Sequence, residues 1–476
     1  MNIKTFILGL CISLHSYAQQ KQPNVLFILA DDLGINALHC YGNDIVETPN
    51  IDKLYAAGMH FTNGYSNDPT CAPSRASIMT GQYAPRTNIY RVVNRYKTAK
   101  NAEEMRKYMK YIPPPTNHLY SKDNGLDPAN FNIAQAFRSN GYSTAAFGKW
   151  HLGKGTSSMH EIGFDEAIET QKHYKFTSHP QQSDYDDQTY NADYCTAKGI
   201  DFIKRSVQED KPFFLYMPYY LVHAPFHPKK KYVDYFSKKL KGTDYDHKHV
   251  IEVVSMLKSL DDSVGELLKA LNDLGLEENT LIVFTSDNGH YKVKGNNLFA
   301  LPYKGNKGDP WEGGIRVPYI FKWKGKIAPN TVSDLPTIHV DLYPTFAELM
   351  DLKISKDHIL DGKSLKNILL GTQETTEEEP LIWFYTNYGG FNSATKQFKS
   401  KWTNIIQENG YKLMEDVDSG VFALYDLKKD PLETKNIFKK KKDIAKDLQE
   451  KLENWKNETK LPAPTPNPEY VQKQHL

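Results

Sequence analysis

The chain has 476 residues, and its 59 basic and 57 acidic residues leave a net charge of only +2. At about 150 residues per domain, this length predicts two or three domains. Hydrophobic residues make up 39% of the sequence, which supports a large core and excludes a mainly disordered chain. The balanced charge excludes a general nucleic-acid binder and a polybasic membrane anchor.

The first residues have the composition of a secretory signal peptide. Lys4 provides a positive start, residues 6–14 an apolar stretch, and Ser16-Tyr17-Ala18 a small-residue cleavage site. That stretch is too short to cross a bilayer, and no later run is long and apolar enough for a transmembrane helix. We therefore expect residues 1–18 to be removed and the protein to be exported, to the periplasm or outside the cell. The alternative is a lipoprotein anchored at Cys11, although Leu10 before it is larger than such sites usually allow.

Apolar runs typical of buried strands alternate with helical patterns over most of the chain. The predicted strands are 24–30, 143–147, 213–218 and 281–285, and the predicted helices are 48–58, 130–141 and 248–274. This alternation predicts an α/β fold with a mostly parallel sheet flanked by helices. Ligands bind such sheets outside the carboxyl ends of the strands.

The pattern changes after about residue 374. Short alternating strands precede a Lys-rich helix at 440–455 and a Pro-rich tail, and they are predicted at 381–385, 402–407, 411–414 and 422–425. We therefore predict a large domain over 19–374 and a smaller α+β domain over 375–476, with an antiparallel sheet and a terminal helix. Residues 91–127 are basic and Tyr-rich, and they predict a long surface insertion.

Two pairs of oxygen-bearing side chains follow predicted strands. Asp31-Asp32 come after the first strand, and Asp287-Asn288 after the strand at 281–285. Adjacent carboxylates repel each other and are costly to bury unless a cation joins them. An all-oxygen set suits Ca²⁺ or Mg²⁺ rather than Zn²⁺. The alternative is that these residues only cap helices.

The cysteines of the mature chain are Cys40, Cys71 and Cys195, and an odd number argues against a disulfide framework. Cys71 opens the sequence Cys-Ala-Pro-Ser-Arg, whose proline and following small residues indicate a loop that turns into a helix. A cysteine there lies near a helix N-terminus, which favours anions. The alternative is an ordinary buried cysteine.

Three further motifs carry basic or imidazole side chains. Lys149 and His151, within Gly-Lys-Trp-His-Leu-Gly, are two positions apart and point to the same side of an extended segment. His223, in His-Ala-Pro, has the chemistry of an acid or base. Lys307 opens a Gly-rich loop and is a candidate anion contact, with Lys304 as its competitor. The alternatives are a solvated turn for the first motif and a structural role for the histidine.

Together these motifs resemble the sulfatase family, which has the alkaline-phosphatase-like fold. The Cys-x-Pro-Ser-Arg core followed by Thr80-Gly81 is similar to that family's first signature, and Gly148 to Gly153 to its second. The paired aspartates, the Ser-Asp-Asn-Gly sequence, the His-Ala-Pro sequence and the Lys-x-x-x-x-Glu-Gly-Gly loop come in the family's order. Leu424 to Leu427 with Asp430-Pro431 also resembles its closing hairpin. The resemblance covers nearly all of the chain after the signal peptide.

The resemblance implies a modified nucleophile and a metal. Cys71 would be oxidised on the unfolded chain by a maturation enzyme to formylglycine, whose hydrated aldehyde attacks the sulfate ester. One Ca²⁺ would be held by Asp31, Asp32, Cys71, Asp287 and Asn288.

It also implies a role for each basic side chain. Arg75 and Lys149 would orient the nucleophile. His223 and Lys307 would contact the sulfate and protonate the leaving oxygen. His151 would then take the proton whose removal releases the sulfate.

The family specifies a sulfate ester but not its alcohol. A signal peptide and a Tyr- and Lys-rich insertion favour a sulfated polysaccharide, with algal ulvan, carrageenan or fucoidan first and glycosaminoglycans second. Six basic or imidazole residues are candidates for contacts with this substrate at the rim of the pocket: Arg91, Arg95, Lys97, His118, His173 and His179. The alternative for each is a solvated surface residue.

Two other functions stay open. A phosphodiesterase or phosphonate hydrolase of the same superfamily would tend to have Asp-His-Gly where this chain has Asp287-Asn288-Gly289, although His290 follows one position late. A catalytically silent carbohydrate-binding protein would have no need of every motif position, and all are present here.

Overall fold

The computed structural model describes residues 22–92, 97, 99–116, 125–292, 298–372, 378–399 and 401–471. The predicted signal peptide lies outside these residues. The strands are β1 (Asn24–Ala30), β2 (Met59–Phe61), β3 (Gly64–Tyr65), β4 (Tyr111–Ile112), β5 (Ser143–Gly148), β6 (Glu166–Gln171), β7 (Thr177–His179), β8 (Phe213–Pro218), β9 (Thr280–Ser286), β10 (Tyr319–Lys322), β11 (Thr331–Ser333), β12 (Thr337–Ile338), β13 (Leu381–Tyr385), β14 (Thr403–Glu408), β15 (Tyr411–Asp416), β16 (Val421–Asp426) and β17 (Thr465–Pro466).

Helices connect most of these strands. They are α1 (Pro49–Ala56), α2 (Cys71–Thr80), α3 (Ala84–Thr87), α4 (Ala102–Lys107), α5 (Ile133–Ser139), α6 (Asn191–Gln208), α7 (Lys230–Lys239), α8 (Lys248–Asp273), α9 (Glu312–Ile315), α10 (Leu342–Leu349), α11 (Lys366–Leu369) and α12 (Lys442–Glu458). Short 3₁₀ turns lie at Ile35–Ala37, His39–Tyr41, Gly155–Ser157, Glu277–Asn279 and His339–Asp341.

A nine-stranded sheet forms the centre of the large domain, in the order β11-β2-β10-β9-β1-β8-β5-β6-β7. β1 pairs in parallel with both β8 and β9, and β5 pairs in parallel with β8 and β6. β10 runs antiparallel to both of its neighbours, and β7 is an antiparallel edge strand. The sheet is therefore mixed and mostly parallel, as predicted.

Both faces of this sheet are buried. Leu26 and Ile28 of β1 belong to a core shared with α6 and α8, whereas Val25 and Phe27 belong to a core shared with α5 and α10. Alternate side chains of a strand point to opposite faces, so a continuous apolar run satisfies both cores. For this reason the strand at 24–30 could be predicted from the sequence.

The smaller C-terminal unit is an antiparallel sheet in the order β13-β14-β15-β16, covered by α12. Leu448 and Leu452 of α12 share a core with Trp383 and Ile405 of the sheet. These features confirm the predicted fold class. The boundary between residues 374 and 375 stays a prediction, because it falls outside the described residues.

The segment at 91–127 is not simply a surface insertion. Within its described part, Met105 and Met109 are buried in a core with Phe384 and Trp402 of the C-terminal unit. β4 also pairs with β17, so part of the Pro-rich tail forms a strand. No helix among the described residues has the length and apolarity that a membrane span requires.

Candidate active site

Two neighbouring strands deliver the acidic residues to one point. β1 and β9 are parallel and in register at Ala30 and Ser286, so Asp31-Asp32 and Asp287-Asn288 leave the sheet side by side. The backbone N–H of Asp32 donates to Oδ1 of Asp287 at 3.1 Å. Nδ2 of Asn288 donates to Oδ1 of Asp32 at 2.9 Å. The structure therefore brings both predicted pairs together at the carboxyl edge of the sheet.

Cys71 is the first residue of α2 and is 1% exposed. Its Sγ lies 3.5 Å from Oδ1 of Asp31 and 3.9 Å from Oδ1 of Asp32. It also lies 3.3 Å from Nζ of Lys149 and 3.3 Å from Nζ of Lys307. The cysteine thus stands between a carboxylate pair and two ammonium groups.

Three cations surround this point, of which Arg75 and Lys149 are buried and Lys307 is partly buried. Nζ of Lys149 lies 2.5 Å from Oδ2 of Asp31, and Nζ of Lys307 lies 2.5 Å from Oδ1 of Asp32. Nε of Arg75 donates to Oδ2 of Asp287 at 2.8 Å. Arg75 also donates from Nη1 to the carbonyl of Lys149 at 2.7 Å, which ties α2 to the end of β5. Three cations therefore face the three carboxylates of Asp31, Asp32 and Asp287.

The cations keep the carboxyl groups ionised. Burial raises the pKa of Asp32, but the Lys307 ammonium and the other positive groups outweigh it and lower that pKa to about 2. Burial also opposes ionisation of Asp31, yet its pKa lies below its ordinary value because Lys149 stands beside it. Burial is the largest single influence on Lys307 and lowers its pKa, but Asp32 and the other acidic groups of the site together raise that pKa well above its ordinary value, so this lysine stays protonated.

Burial and neighbouring positive charge favour the neutral form of His151 and His223. Burial, and next to it the Lys149 ammonium, lowers the pKa of both His151 and His223. Nδ1 of His223 contacts the carbonyl of Ala224, which directs Nε2 inward to a point 3.9 Å from Oδ2 of Asp32. His173 is 1% exposed, and its Nε2 contacts the carbonyl of His223 at 2.8 Å.

The residues present fit a hard cation. Asp31, Asp32, Cys71 and His223 each place a ligand atom within 4.8 Å of the others. Within the described part of the chain, no hydrogen-bond donor reaches the buried Oδ2 of Asp32 or Oδ1 of Asn288. Buried oxygens without donors are normally satisfied by a cation or by water. Carboxylate and amide oxygens are ligands that Ca²⁺ accepts.

The structure separates the two candidate lysines of the Gly-rich loop. Nζ of Lys304 lies over the Trp311 ring, 3.3 Å from its centroid, and donates to the carbonyl of Glu433 at 3.4 Å. Lys307 alone of these two lies at Cys71. Their spacing in the sequence held no signal that distinguishes them.

Four of the six proposed rim residues lie in the described part of the chain. Arg91 and His173 are buried, so solvated surface is wrong for both. Lys97 and His179 are exposed, and Arg95 and His118 lie outside the described residues.

Tyr220 was missed by the sequence reasoning. Its ring lies 5.5 Å from Nζ of Lys149 and 4.9 Å from the His223 ring. Its position two residues after β8, just before His-Ala-Pro, was the available signal.

Comparison with known proteins agrees with this geometry. The model of the family described as "Sulfatase" matches residues 23–352, more than half of the chain. The chain belongs to the sulfatase family. A second model, described as "N-sulphoglucosamine sulphohydrolase, C-terminal", matches residues 307–458. The protein is therefore a hydrolase of sulfate esters with both parts of a sulfatase chain, and the resemblance seen in the sequence is confirmed.

Individual sulfatases match over most of this chain. The N-acetylgalactosamine-6-O-sulfatase of Bacteroides thetaiotaomicron is 27% identical, over 92% of this chain and 93% of its own. The N-acetylgalactosamine-6-sulfatase of Canis lupus familiaris is 31% identical, over 82% of this chain and 74% of its own. The crystal structure of Ps i-CgsB in complex with k-i-k-neocarrahexaose superposes with a TM-score of 0.76 at 26% identity, covering 94% of this chain and 95% of that one.

Proposed function

We propose that this sulfatase removes sulfate from a sulfated carbohydrate, using formylglycine made from Cys71 and one calcium ion. The observation that carries the proposal is the position of Cys71. Its side chain lies at the start of α2, buried, and in contact with two lysines and the first aspartate pair. A reacting group placed there is within reach of both carboxylates of the first aspartate pair and of the Lys149 and Lys307 ammonium groups.

The thiol itself is poorly suited to be the nucleophile. Burial, and next to it the charge of Asp287, raises the pKa of Cys71 despite the nearby lysines, so the thiol stays protonated. Only the thiolate is strongly nucleophilic. A maturation enzyme that supplies a two-electron oxidant would replace the sulfur by oxygen, with the sulfur leaving as sulfide. The chemistry supplied by formylglycine is a hydrated aldehyde with two hydroxyl groups, one to accept the sulfuryl group and one to expel it.

The proposed calcium ligands are Asp31, Asp32, Asp287, Asn288 and the modified Cys71. Their support is the cluster of buried oxygens at the ends of β1 and β9. The chemistry that calcium supplies there is neutralisation of negative charge on the sulfuryl oxygens.

The three cations of the site bind the sulfate group and orient the nucleophile. Lys149 and Arg75, joined by a hydrogen bond, hold the nucleophile on the side of α2. Lys307 approaches the same sulfur from the Gly-rich loop and donates to the sulfate. Ammonium groups fixed in a buried site stabilise transition-state charge without reorganisation.

The two histidines move protons. His223 uses Nδ1 on the carbonyl of Ala224, so Nε2 is the nitrogen that carries a transferable proton when the ring is protonated. Its lowered pKa makes that imidazolium a stronger acid towards the leaving oxygen. His151 is buried beside Lys149 and neutral, so it can accept the proton whose removal releases sulfate.

The substrate class rests on the relatives. Two are named for N-acetylgalactosamine 6-sulfates, and a solved structure holds a neocarrahexaose. We therefore propose a sulfated oligosaccharide, from an algal galactan such as carrageenan or from a glycosaminoglycan. Export through residues 1–18, to the periplasm or beyond the cell, is part of the same proposal.

The test is sulfate release by the matured protein. The chain would be co-expressed with a formylglycine-generating enzyme, and mass spectrometry of the Cys71 peptide would verify the aldehyde. Inorganic sulfate and phosphate would then be assayed from carrageenan, ulvan, fucoidan and glycosaminoglycan oligosaccharides with Ca²⁺ present. Sulfate from one sugar series supports the proposal, and the desulfated position identifies the ring site. Phosphate without sulfate, or no aldehyde at Cys71 in an active protein, contradicts it.

A further inference from the structure

A second buried charge cluster lies where the C-terminal sheet meets the Gly-rich loop. Lys412 of β15 is fully buried, and its Nζ lies 3.2 Å from Oε1 of Glu312 and 2.8 Å from Oε1 of Glu433. Both glutamate side chains are fully buried too. We name Glu312, Lys412 and Glu433 the buried triad. None of its members contacts Cys71.

The triad together with Arg316 is balanced in charge, but its ion pairs by themselves contribute little to stability. Nη1 of Arg316 lies 3.4 Å from Oε2 of Glu312, so two carboxylates face two cations. Replacing a buried ion pair by apolar side chains of similar volume is often neutral or stabilising. Its hydrogen bonds, however, fix geometry in a way that apolar packing does not. The triad is therefore suited to hold α9 at one position.

The triad fixes the start of α9 directly. Oε2 of Glu433 accepts a hydrogen bond from the backbone N–H of Glu312 at 2.9 Å. The hydroxyl of Tyr65 donates to Oε2 of Glu312 at 3.0 Å. Gly313 and Gly314 follow immediately, so their backbone is held to the C-terminal unit by the residue before them.

These glycines form the surface on which the Lys307 loop lies. A Cβ on Gly314 would stand 1.9 Å from the carbonyl oxygen of Asp309, and one on Gly313 would stand 2.5 Å from that of Gly305. The loop that carries Lys307 thus touches the α9 backbone on both sides of that lysine. A shift of α9 would move the loop with it.

We propose that Lys412 is a positioning residue, which holds Glu312 and, through Gly313 and Gly314, sets the place of the Lys307 ammonium at Cys71. The C-terminal sheet is then a required part of the active site although it supplies no group to the reacting atoms. This inference rests on the proposed function, since it takes Lys307 as a group that acts on the sulfate.

The test removes the triad without leaving a net charge. Lys412→Met alone leaves a buried carboxylate without a cationic partner and risks misfolding. The main variant is therefore the double substitution Lys412→Met with Glu433→Gln. We expect kcat to fall by about 10²-fold with little change in KM, as a misplacement of about 1 Å does. In a Lys307→Met background the same double substitution should change the rate by no more than about twofold, because the two act through one group. An equal loss in both backgrounds would mean general damage and overturns the inference.

Two further measurements distinguish loss of positioning from general damage to the fold. Lys412→Arg retains the charge and should recover most of the lost kcat. Amide hydrogen exchange needs no turnover: in the double variant, exchange across residues 304–314 should rise about tenfold or more, while exchange in α2 stays unchanged. Unchanged exchange at 304–314 overturns the inference. If exchange at 304–314 were faster in the double variant but the unsubstituted protein released no sulfate, the proposed function would be overturned. The positioning of the Lys307 loop by Lys412 would still be supported.

Discussion

Replacing Lys307 with methionine removes one of two ammonium groups at the Cys71 sulfur and keeps an unbranched side chain of similar length. Nζ of Lys307 lies 3.3 Å from that sulfur. At an effective dielectric constant of about 20, a full charge at this distance contributes about 5 kcal/mol. A transition state that gains roughly half a charge would lose about half of this energy, close to the penalty for removing one oxyanion donor. We therefore expect kcat/KM to fall by about 10²-fold.

The assay is the initial rate of sulfate release, with matched aldehyde content at Cys71 verified by mass spectrometry. Lys269→Ala is the control, because this lysine is 73% exposed near the end of α8 and pairs only with Asp273 among its described ion pairs. It should stay within about twofold of the parent, as surface substitutions usually do. If Lys307→Met also stayed within that range, the electrostatic role of Lys307 would be refuted.

The remaining predictions concern the nucleophile, the metal ligands and the pH dependence of stability. Cys71→Ser should bind substrate and accept at most one sulfate per molecule, because a single hydroxyl has no partner to expel it; sustained multiple turnover would contradict the formylglycine assignment. Chelation by EGTA should abolish sulfate release, and added Ca²⁺ should restore it. Asp287→Asn should raise the Ca²⁺ concentration needed for the half-maximal rate. If that concentration were unchanged, Asp287 would not be a calcium ligand. Burial raises the pKa of Asp68 to about 8, against about 3.9 in the unfolded chain. The folded state then binds more protons between these values, so the unfolding midpoint should fall as pH rises from about 5 to 8, and less steeply in Asp68→Asn. Parallel slopes in thermal unfolding would show that Asp68 does not titrate in this way.

Much of the fold was predictable because its strands are buried on both faces. Residues 213–218 and 24–30 are uninterrupted apolar runs, and the structure has strands at those bounds. The rule that ligands gather at the carboxyl ends of parallel strands then located the aspartate pairs. These features depend on local pattern and on a general property of sheets.

Other features depend on packing between distant segments. Lys304 and Lys307 are chemically alike in the sequence, and only the Trp311 ring under Lys304 separates their roles. His173 looks like a surface residue until α6 and the segment after β8 enclose it. Lys412 lies in a strand of ordinary alternation, and its two glutamate partners come from separate segments of the chain. No local pattern encodes such contacts.

The surroundings of Cys71 assemble from remote parts of the chain. Lys149 lies 78 residues after it, and Lys307 lies 236 residues after it. Contacts of this sequence separation form late, since long loops must close before they are made. During synthesis, Cys71 therefore stays accessible until most of the chain has been made. Under the proposed function, that interval is when a maturation enzyme would reach a side chain that the finished fold leaves only 1% exposed.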